Sequence, residues 1–294
     1  MRRFLVFLTA LTLLGTTASA ATLNFNNWTV EGAPADGSWE INNLLPLDPT
    51  NPSGPKAATR AKQLAQGGPS VLLNNITGIA GDFSFVTSVT TTSDDDFLGF
   101  VIGFRPGDLS NPYADYLLVD WKKGSQAGAF AGLTLSHVTG APGFNDFFTH
   151  DPNGATGQVT ELARGAVRGS LGWASNASYL FDFSYTPDPL GLNAPTLGLR
   201  VCASDALGTT LSQCVQEFNV QLAKGQTGNI GLFTLSQQQV QFTNAIGGAL
   251  QSYTPIPSTI PLPASVWLLG AGLAGLGVVR RARRPAAALT SPCS

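Results

Sequence analysis

Apolar and polar residues alternate in short runs along the middle of the chain, and turn-forming residues separate these runs. Ser178 to Tyr185 shows this best, because every second residue there is aromatic and strand side chains alternate between two faces. Leu98 to Phe104 holds no polar residue, which predicts a central strand covered on both faces. Tyr116 to Trp121 predicts its antiparallel partner, since Arg105 to Ala114 between them is rich in turn-forming residues.

The same pattern predicts further short strands. They are Leu23–Val30, Trp39–Asn43, Ser70–Leu73, Gly81–Thr90, Gly132–Val138, Gln158–Ala163, Asn229–Leu235 and Val240–Thr243. Lys56 to Gln66 fits either a short helix or a loop. Many short strands, with turns between them and almost no helix, predict an all-β fold: a jelly-roll β-sandwich formed by one domain over residues 21–249.

Both ends of the chain carry apolar segments of a different kind. Residues 1–20 hold two arginines, an apolar core and an Ala-Ser-Ala motif, which predict a cleaved secretory signal peptide. Residues 250–263 form a proline-rich stalk. Residues 264–279 are apolar or small and predict a transmembrane helix, followed by a basic cytoplasmic tail at residues 280–294.

The composition fits an exported β protein and gives no indication of nucleic-acid binding. Charged residues make up only 12% of the 294 residues, and the formal net charge is −2. Cys202 and Cys214 are 12 positions apart, and each lies beside an apolar alternation. Two antiparallel strands would bring their thiols within bridging distance, so we predict a disulfide in an oxidising compartment.

Three adjacent carboxylates, Asp94, Asp95 and Asp96, precede the fully apolar strand. Because like charges repel and Asp is disfavoured in strands, a bound cation is the simplest way to offset the repulsion. Ca²⁺ prefers carboxylate and carbonyl oxygens. In an extended run Asp94 and Asp96 would share one face and Asp95 would point to the other. The alternative is a solvated acidic loop.

Familiar catalytic patterns are absent from the sequence. Sugar hydrolases need two carboxylates that flank the scissile bond, and no two of the chain's glutamates lie within four positions of each other. His137 and His150 have no cysteine or second histidine at metal-ligand spacing. We expect His137 to be a surface residue and His150 an exposed loop residue. A Ser-His-Asp triad needs no fixed spacing and stays open, but the sequence predicts a protein that is not an enzyme.

The C-terminal segment combines a short proline motif, an apolar helix and a basic cluster. The residues are Pro261, Leu262, Pro263 and Ala264, then Val266 to Gly270, then Arg280, Arg281, Arg283 and Arg284. This order resembles the PEP-CTERM sorting signal of Gram-negative bacteria, with Leu262 in place of the usual Glu as in the V-P-L-P-A variant. The resemblance implies transient anchoring in the inner membrane, processing by an exosortase, and release to the cell surface or an extracellular matrix.

Short motifs in the predicted domain follow one another from about Leu23 to Thr243. They are Asp94-Asp95-Asp96, Gly99-Phe100-Val101, Gly103-Phe104, Tyr116, Asp120-Trp121-Lys122, Gly132-Leu133, Thr156-Gly157-Gln158-Val159, Gly172-Trp173, Gly231-Leu232-Phe233 and Ser236-Gln237. They resemble the thrombospondin C-terminal domain, a jelly roll of the concanavalin or L-type-lectin type. That family binds Ca²⁺ through acidic residues, so the resemblance implies a Ca²⁺ site at Asp94, Asp95 and Asp96. Asp120 is a further candidate ligand, with a salt bridge to a lysine as its alternative role.

Three functions follow from these predictions. The preferred one is a non-catalytic adhesion or matrix protein that Ca²⁺ stabilises and that binds extracellular polysaccharide or surface proteins. The second is a lectin of the same fold, in which loop aromatics stack on sugar rings. Those aromatics are Tyr113, Phe144, Phe147 and Phe148. Their alternative role is closure of the core. The third and weakest is a polysaccharide hydrolase.

Overall fold

The computed structural model describes residues 24–32, 38–46, 56–75, 81–90, 94–126, 128–150, 157–187 and 194–244. The predicted signal peptide, stalk, transmembrane helix, basic tail and sorting motif lie outside the described residues. Within the described part of the chain, no helix has both the length and the apolar character needed to cross a membrane.

The described residues form fourteen strands in two antiparallel sheets. Sheet I contains, in spatial order, β1 (Thr29–Glu31), β4 (Pro69–Leu73), β13 (Asn229–Leu235), β6 (Phe97–Phe104), β7 (Asp115–Lys122), β8 (Gly132–Thr139) and β9 (Val159–Arg164). Sheet II contains β12 (Leu211–Gln221), β11 (Thr196–Ser204), β10 (Ala177–Thr186), β5 (Gly81–Val89), β14 (Val240–Asn244), β3 (Lys56–Gln63) and β2 (Trp39–Pro46). A 3₁₀ turn, Phe25–Asn27, precedes β1, and a short helix α1 (Phe144–Thr149) follows β8. The prediction of an all-β sandwich is confirmed.

The main core lies between the two sheets and is rich in aromatic side chains. Tyr179, Phe181, Phe183 and Tyr185 of β10 all belong to it, as the alternation predicted. Phe100 of β6 packs across the interface against Phe183, with ring centroids 4.6 Å apart. Large aromatic side chains bury much apolar area and gain further from ring–ring contact, so this layer holds the two sheets together.

A second apolar layer covers the outer face of sheet I. Every residue of β6 is buried, and on β7 Tyr116 and Leu118 face this layer. Phe147 of α1 closes it from outside, with its ring centroid 5.8 Å from that of Phe233. The predicted central strand at residues 98–104 is therefore confirmed. Polar side chains on the outer face of β7 are buried in consequence.

The structure corrects the prediction for Lys56 to Gln66. This segment is neither a helix nor a loop, because β3 covers most of it and pairs with β2 and β14. Its alternating burial shows why. Thr59, Ala61 and Gln63 are buried, and the two charged residues between them are half-buried. Sheet pairing on both sides outweighs the favourable helix propensities of Ala, Lys and Gln.

Candidate cation site

The acid run lies at the open end of the hairpin formed by β6 and β7. Phe97 pairs with Lys122 in the antiparallel register, so the residues before β6 lie beside the residues after β7. The Asp95 carbonyl accepts hydrogen bonds from the amides of Lys123 and Gly124, at 3.2 and 3.3 Å. These bonds tie the run to the second strand.

The carboxylates of Asp94, Asp95 and Asp96 converge. One oxygen from each lies within 4.8 Å of those from the other two. Asp94 and Asp96 are buried, and Asp95 is half-buried. An extended run would turn Asp95 away from the other two, and that divergence is not observed. Residues 94–96 are not part of a strand, so strand alternation does not govern their directions.

A fully buried lysine reaches into this cluster. Lys122 Nζ donates hydrogen bonds to Asp96 Oδ1 at 3.0 Å, to the Asp95 carbonyl at 3.1 Å and to Gln126 Oε1 at 3.3 Å. Its side chain has no exposed surface. A buried ammonium is tolerated only when it is paired and hydrogen-bonded. Lys122 therefore offsets part of the carboxylate repulsion from inside the protein.

Asp94 carries the charge that is least well compensated. Its carboxylate accepts hydrogen bonds from the amides of Asp95 and Gln238, at 3.1 and 3.4 Å. Burial and repulsion from Asp96 and Asp95 nevertheless raise the pKa of Asp94 above its ordinary value. A second ammonium, Lys123 Nζ, donates a hydrogen bond to the backbone carbonyl of Asp94 at 3.1 Å. Three carboxylates thus face two ammonium groups, which leaves the cluster negative.

The donor set suits a hard divalent cation. Ca²⁺ takes several oxygen ligands and accepts irregular geometry, and the convergent carboxylates with an unbalanced negative charge offer such ligands. Half-exposed Asp95 gives access from solvent. Asp96 Oδ1 already accepts from Lys122, so a cation bound here would share that carboxylate with the lysine.

The structure places Asp120 outside this cluster. Thr134 Oγ1 donates a hydrogen bond to Asp120 Oδ1 at 2.5 Å, and His150 Nε2 lies 3.0 Å from Asp120 Oδ2. The partner of Asp120 is therefore a histidine rather than a lysine. The prediction that His150 is an exposed loop residue is wrong, because His150 ends α1 and only 5% of its side chain is exposed. Burial lowers the pKa of His150, but the adjacent Asp120 carboxylate outweighs it and raises the pKa above its ordinary value.

The remaining predicted residues lie elsewhere in the fold. A disulfide joins Cys202 of β11 to Cys214 of β12, with an S–S distance of 2.07 Å. His137 of β8 is partly exposed, and its Nε2 lies 2.9 Å from Asp115 Oδ1. His137 is thus the satisfied surface histidine that the sequence predicted.

The four candidate aromatics differ in how far they are buried. Phe147 is buried in the second apolar layer, so core closure is its role. Phe144 is exposed and stacks against Phe148, with ring centroids 5.8 Å apart. Tyr113 is 88% exposed. Phe130, which no sequence pattern singled out, is also largely exposed.

Sequence reasoning also missed the roles of Lys122, Lys123 and Gln126 at the acid run. The two strands that the pattern predicted were enough to place these lysines. In an antiparallel hairpin the start of one strand faces the end of the other. The predicted strands alone therefore place the Lys-Lys pair beside the acid run.

Comparison with known proteins gives one curated relative over part of the chain, and no protein-family model matches. The chain is 26% identical to thrombospondin-3b of Danio rerio over 175 residues. The match covers 55% of this chain and 17% of that protein. This identity fits the resemblance to the thrombospondin C-terminal domain.

Comparison with solved structures gives matches that are also distant in sequence. One is the carbohydrate-binding module CBM66 from Bacillus subtilis, at 9% identity and a TM-score of 0.41, covering 74% of this chain and 91% of that one. Another is an alginate lyase from Aplysia kurodai, at 11% identity and a TM-score of 0.44, covering 78% and 98%. A third is the exoplasmic/lumenal domain of VIP36 in its Ca²⁺-bound form, at 10% identity and a TM-score of 0.38, covering 71% and 87%.

Proposed function

We propose that the β-sandwich is a non-catalytic interaction module stabilised by Ca²⁺ at Asp94, Asp95 and Asp96. The observation that carries this proposal is the convergence of three carboxylate oxygens within 4.8 Å, with more negative charge than Lys122 and Lys123 balance. When bound, Ca²⁺ would supply the missing positive charge and tie the entry of β6 to the end of β7. The partial identity to thrombospondin-3b supports the same proposal.

We propose that the module is exported and acts at a cell surface or in an extracellular matrix, where it binds polysaccharide or surface proteins. The predicted signal peptide and the exosortase-type sorting motif support this proposal. The disulfide between Cys202 and Cys214 also supports it, because such bonds persist in oxidising compartments.

The non-catalytic part of the proposal rests on burial. The Asp120–His150 pair has the residue types of an acid–base couple, but both side chains are at most 5% exposed. Lys122 is equally inaccessible. A catalytic group must come within hydrogen-bond reach of the substrate, and these groups lie beneath the outer layer of sheet I. Turnover of a polysaccharide that depends on Asp120 or His150 would contradict the proposal.

Thermal unfolding with Ca²⁺ and with chelator tests the calcium proposal. A ligand that binds the folded state alone adds about 2.7 kcal/mol of stability at a concentration of 100 times its Kd. We expect Ca²⁺ to raise the Tm of the protein, and we expect this increment to vanish when Asp94, Asp95 and Asp96 are changed to Asn. The matched control is Asp205→Asn, a change at a turn carboxylate that accepts from the amides of Leu207 and Thr209 and that should keep the increment. An equal Ca²⁺ increment in the triple variant would rule out this site.

A further inference from the structure

A small polar hollow lies at the opposite end of the β6–β7 hairpin from the acid run. Its volume is about 110 Å³. It is lined by Arg105, Asp108, Tyr113, Asp115 and the segment 224–227. Pockets for drug-sized ligands run to about 300–1,000 Å³, so a hollow of this size accepts one small ring.

Hydrogen bonds hold the lining of the hollow in place. Asp108 Oδ2 accepts from the Arg105 amide at 2.8 Å, and Asp108 Oδ1 accepts from Asn111 Nδ2 at 2.9 Å. Asn111 Oδ1 in turn accepts from the Tyr113 amide at 3.0 Å. On the facing segment, the Gln226 amide donates to the hydroxyl of the core residue Tyr185 at 2.7 Å. These bonds hold the loop between β6 and β7 in place, although the Tyr113 ring on that loop is exposed to solvent.

The charges around the hollow cancel. Arg105 and Lys224 face Asp108 and Asp115, and Lys224 Nζ lies 2.6 Å from Asp115 Oδ2. Burial opposes ionisation of Asp115, but Lys224 and His137 lower its pKa to about 2, so this carboxylate stays an acceptor at neutral pH. Neither a free anion nor a free cation gains net attraction here. A neutral ligand that both donates and accepts hydrogen bonds matches the lining.

We propose that this hollow binds one residue of a neutral oligosaccharide, with the sugar ring stacked on Tyr113 and its hydroxyls bonded to Asp115 and Lys224. Sugar hydroxyls donate and accept at once, and the C–H face of a pyranose is apolar enough to cover an exposed aromatic ring. This inference rests on the proposed function, because it names a ligand class for the interaction module.

Calorimetric titration of the whole protein tests the site. The probes are three neutral oligosaccharides (cellohexaose, laminarihexaose and mannohexaose) and an acidic one, trigalacturonate. We expect at least one neutral probe to bind, and we expect Tyr113→Ala to weaken that binding by about tenfold, since a stacked ring contributes up to about that factor. Because Tyr113 is exposed, we expect this variant to fold normally, and its Tm verifies that. Phe130→Ala, which removes another exposed ring, is the matched control and should bind normally.

Three results would overturn the site. They are no binding of any neutral probe at millimolar concentration, binding of the acidic probe alone, or neutral-sugar binding that Tyr113→Ala leaves unchanged. The rise in Tm that Ca²⁺ causes, measured on the same samples, tests the calcium proposal independently of sugar binding. A protein that Ca²⁺ stabilises but that binds no sugar here loses this site and keeps the proposed function.

Discussion

Replacing Lys122 by Met isolates the buried charge that faces the acid run. Met keeps much of the apolar stem, which lies among aromatic rings: the Lys122 ammonium is 4.9 Å from the ring centroids of both Phe97 and Phe148. The substitution removes the ammonium and its three hydrogen bonds at 3.0 to 3.3 Å. It leaves Asp96 buried without its cationic partner.

The size of the effect follows from that unpaired carboxylate. Removing one partner of a buried ion pair costs about 3–5 kcal/mol. In a domain of this size each kcal/mol lowers the Tm by about 2–4 °C. We therefore expect Lys122→Met to lower the Tm by roughly 6–20 °C in the presence of chelator, as measured by circular dichroism or calorimetry.

Lys123→Met is the matched control, since it removes a positive charge one residue away. Lys123 Nζ donates to the Asp94 carbonyl and to Ser175 Oγ, and its side chain is only half-buried. Losing such bonds costs about 1 kcal/mol each. A Tm for Lys122→Met equal to that of Lys123→Met would refute the assignment of Lys122 as the principal internal countercharge.

The same variant connects the lysine to calcium. Because Asp96 is freed from Lys122, we expect Ca²⁺ to bind more tightly and to raise the Tm of Lys122→Met by more than that of the unchanged protein. An equal or smaller Ca²⁺ increment in Lys122→Met would show that the cation and the lysine do not share Asp96.

Two further predictions concern other parts of the fold. The folded-state pKa of His150 is raised, so the stability from its pairing with Asp120 is fully present below the unfolded-state pKa and is lost as the pH rises through the folded-state pKa. We expect His150→Gln to flatten this decline in urea unfolding measured from pH 6 upward, and an unchanged pH profile would contradict it. Replacing Cys202 and Cys214 together by Ser should lower the free energy of unfolding by about 3 kcal/mol, whereas a loss under 0.5 kcal/mol would contradict a stabilising role for the bridge.

The sheet framework was predictable because its strands are strongly patterned. β13 has the predicted bounds, and β6, β7 and β10 lie within one residue of theirs at each end. Their apolar or alternating residues reflect burial directly. β3 was missed because its alternating positions are small or polar, so its place in the sheet depends on neighbouring strands that its own residues do not reveal.

The environment of the site was predictable only in part. The acid run stood out by charge alone, whereas its partner Lys122 was not predicted, although the hairpin register of the two predicted strands places it beside the run. The burial of His150 did not follow from local sequence, because it depends on α1 closing over sheet I and on Asp120, 30 positions earlier in the chain, facing the same layer. Such long-range packing leaves no local periodicity to detect.

Terbium luminescence offers the most direct test of the central claim that the acid run binds Ca²⁺. Tb³⁺ replaces Ca²⁺ at oxygen sites and emits when a nearby tryptophan transfers energy to it. Trp173 Nε1 donates to the Asp96 carbonyl at 3.0 Å, so an ion at the run would lie close to this donor.

We expect tryptophan-excited Tb³⁺ emission that Ca²⁺ displaces, that Trp173→Phe weakens, and that disappears when Asp94, Asp95 and Asp96 are changed to Asn. Undiminished emission from the triple variant, with Ca²⁺ still competing, would place the cation elsewhere. The absence of sensitised emission, together with no effect of Ca²⁺ on the Tm, would contradict the Ca²⁺ site. Lys122 and Lys123 would then be the positive charges that balance the acid run.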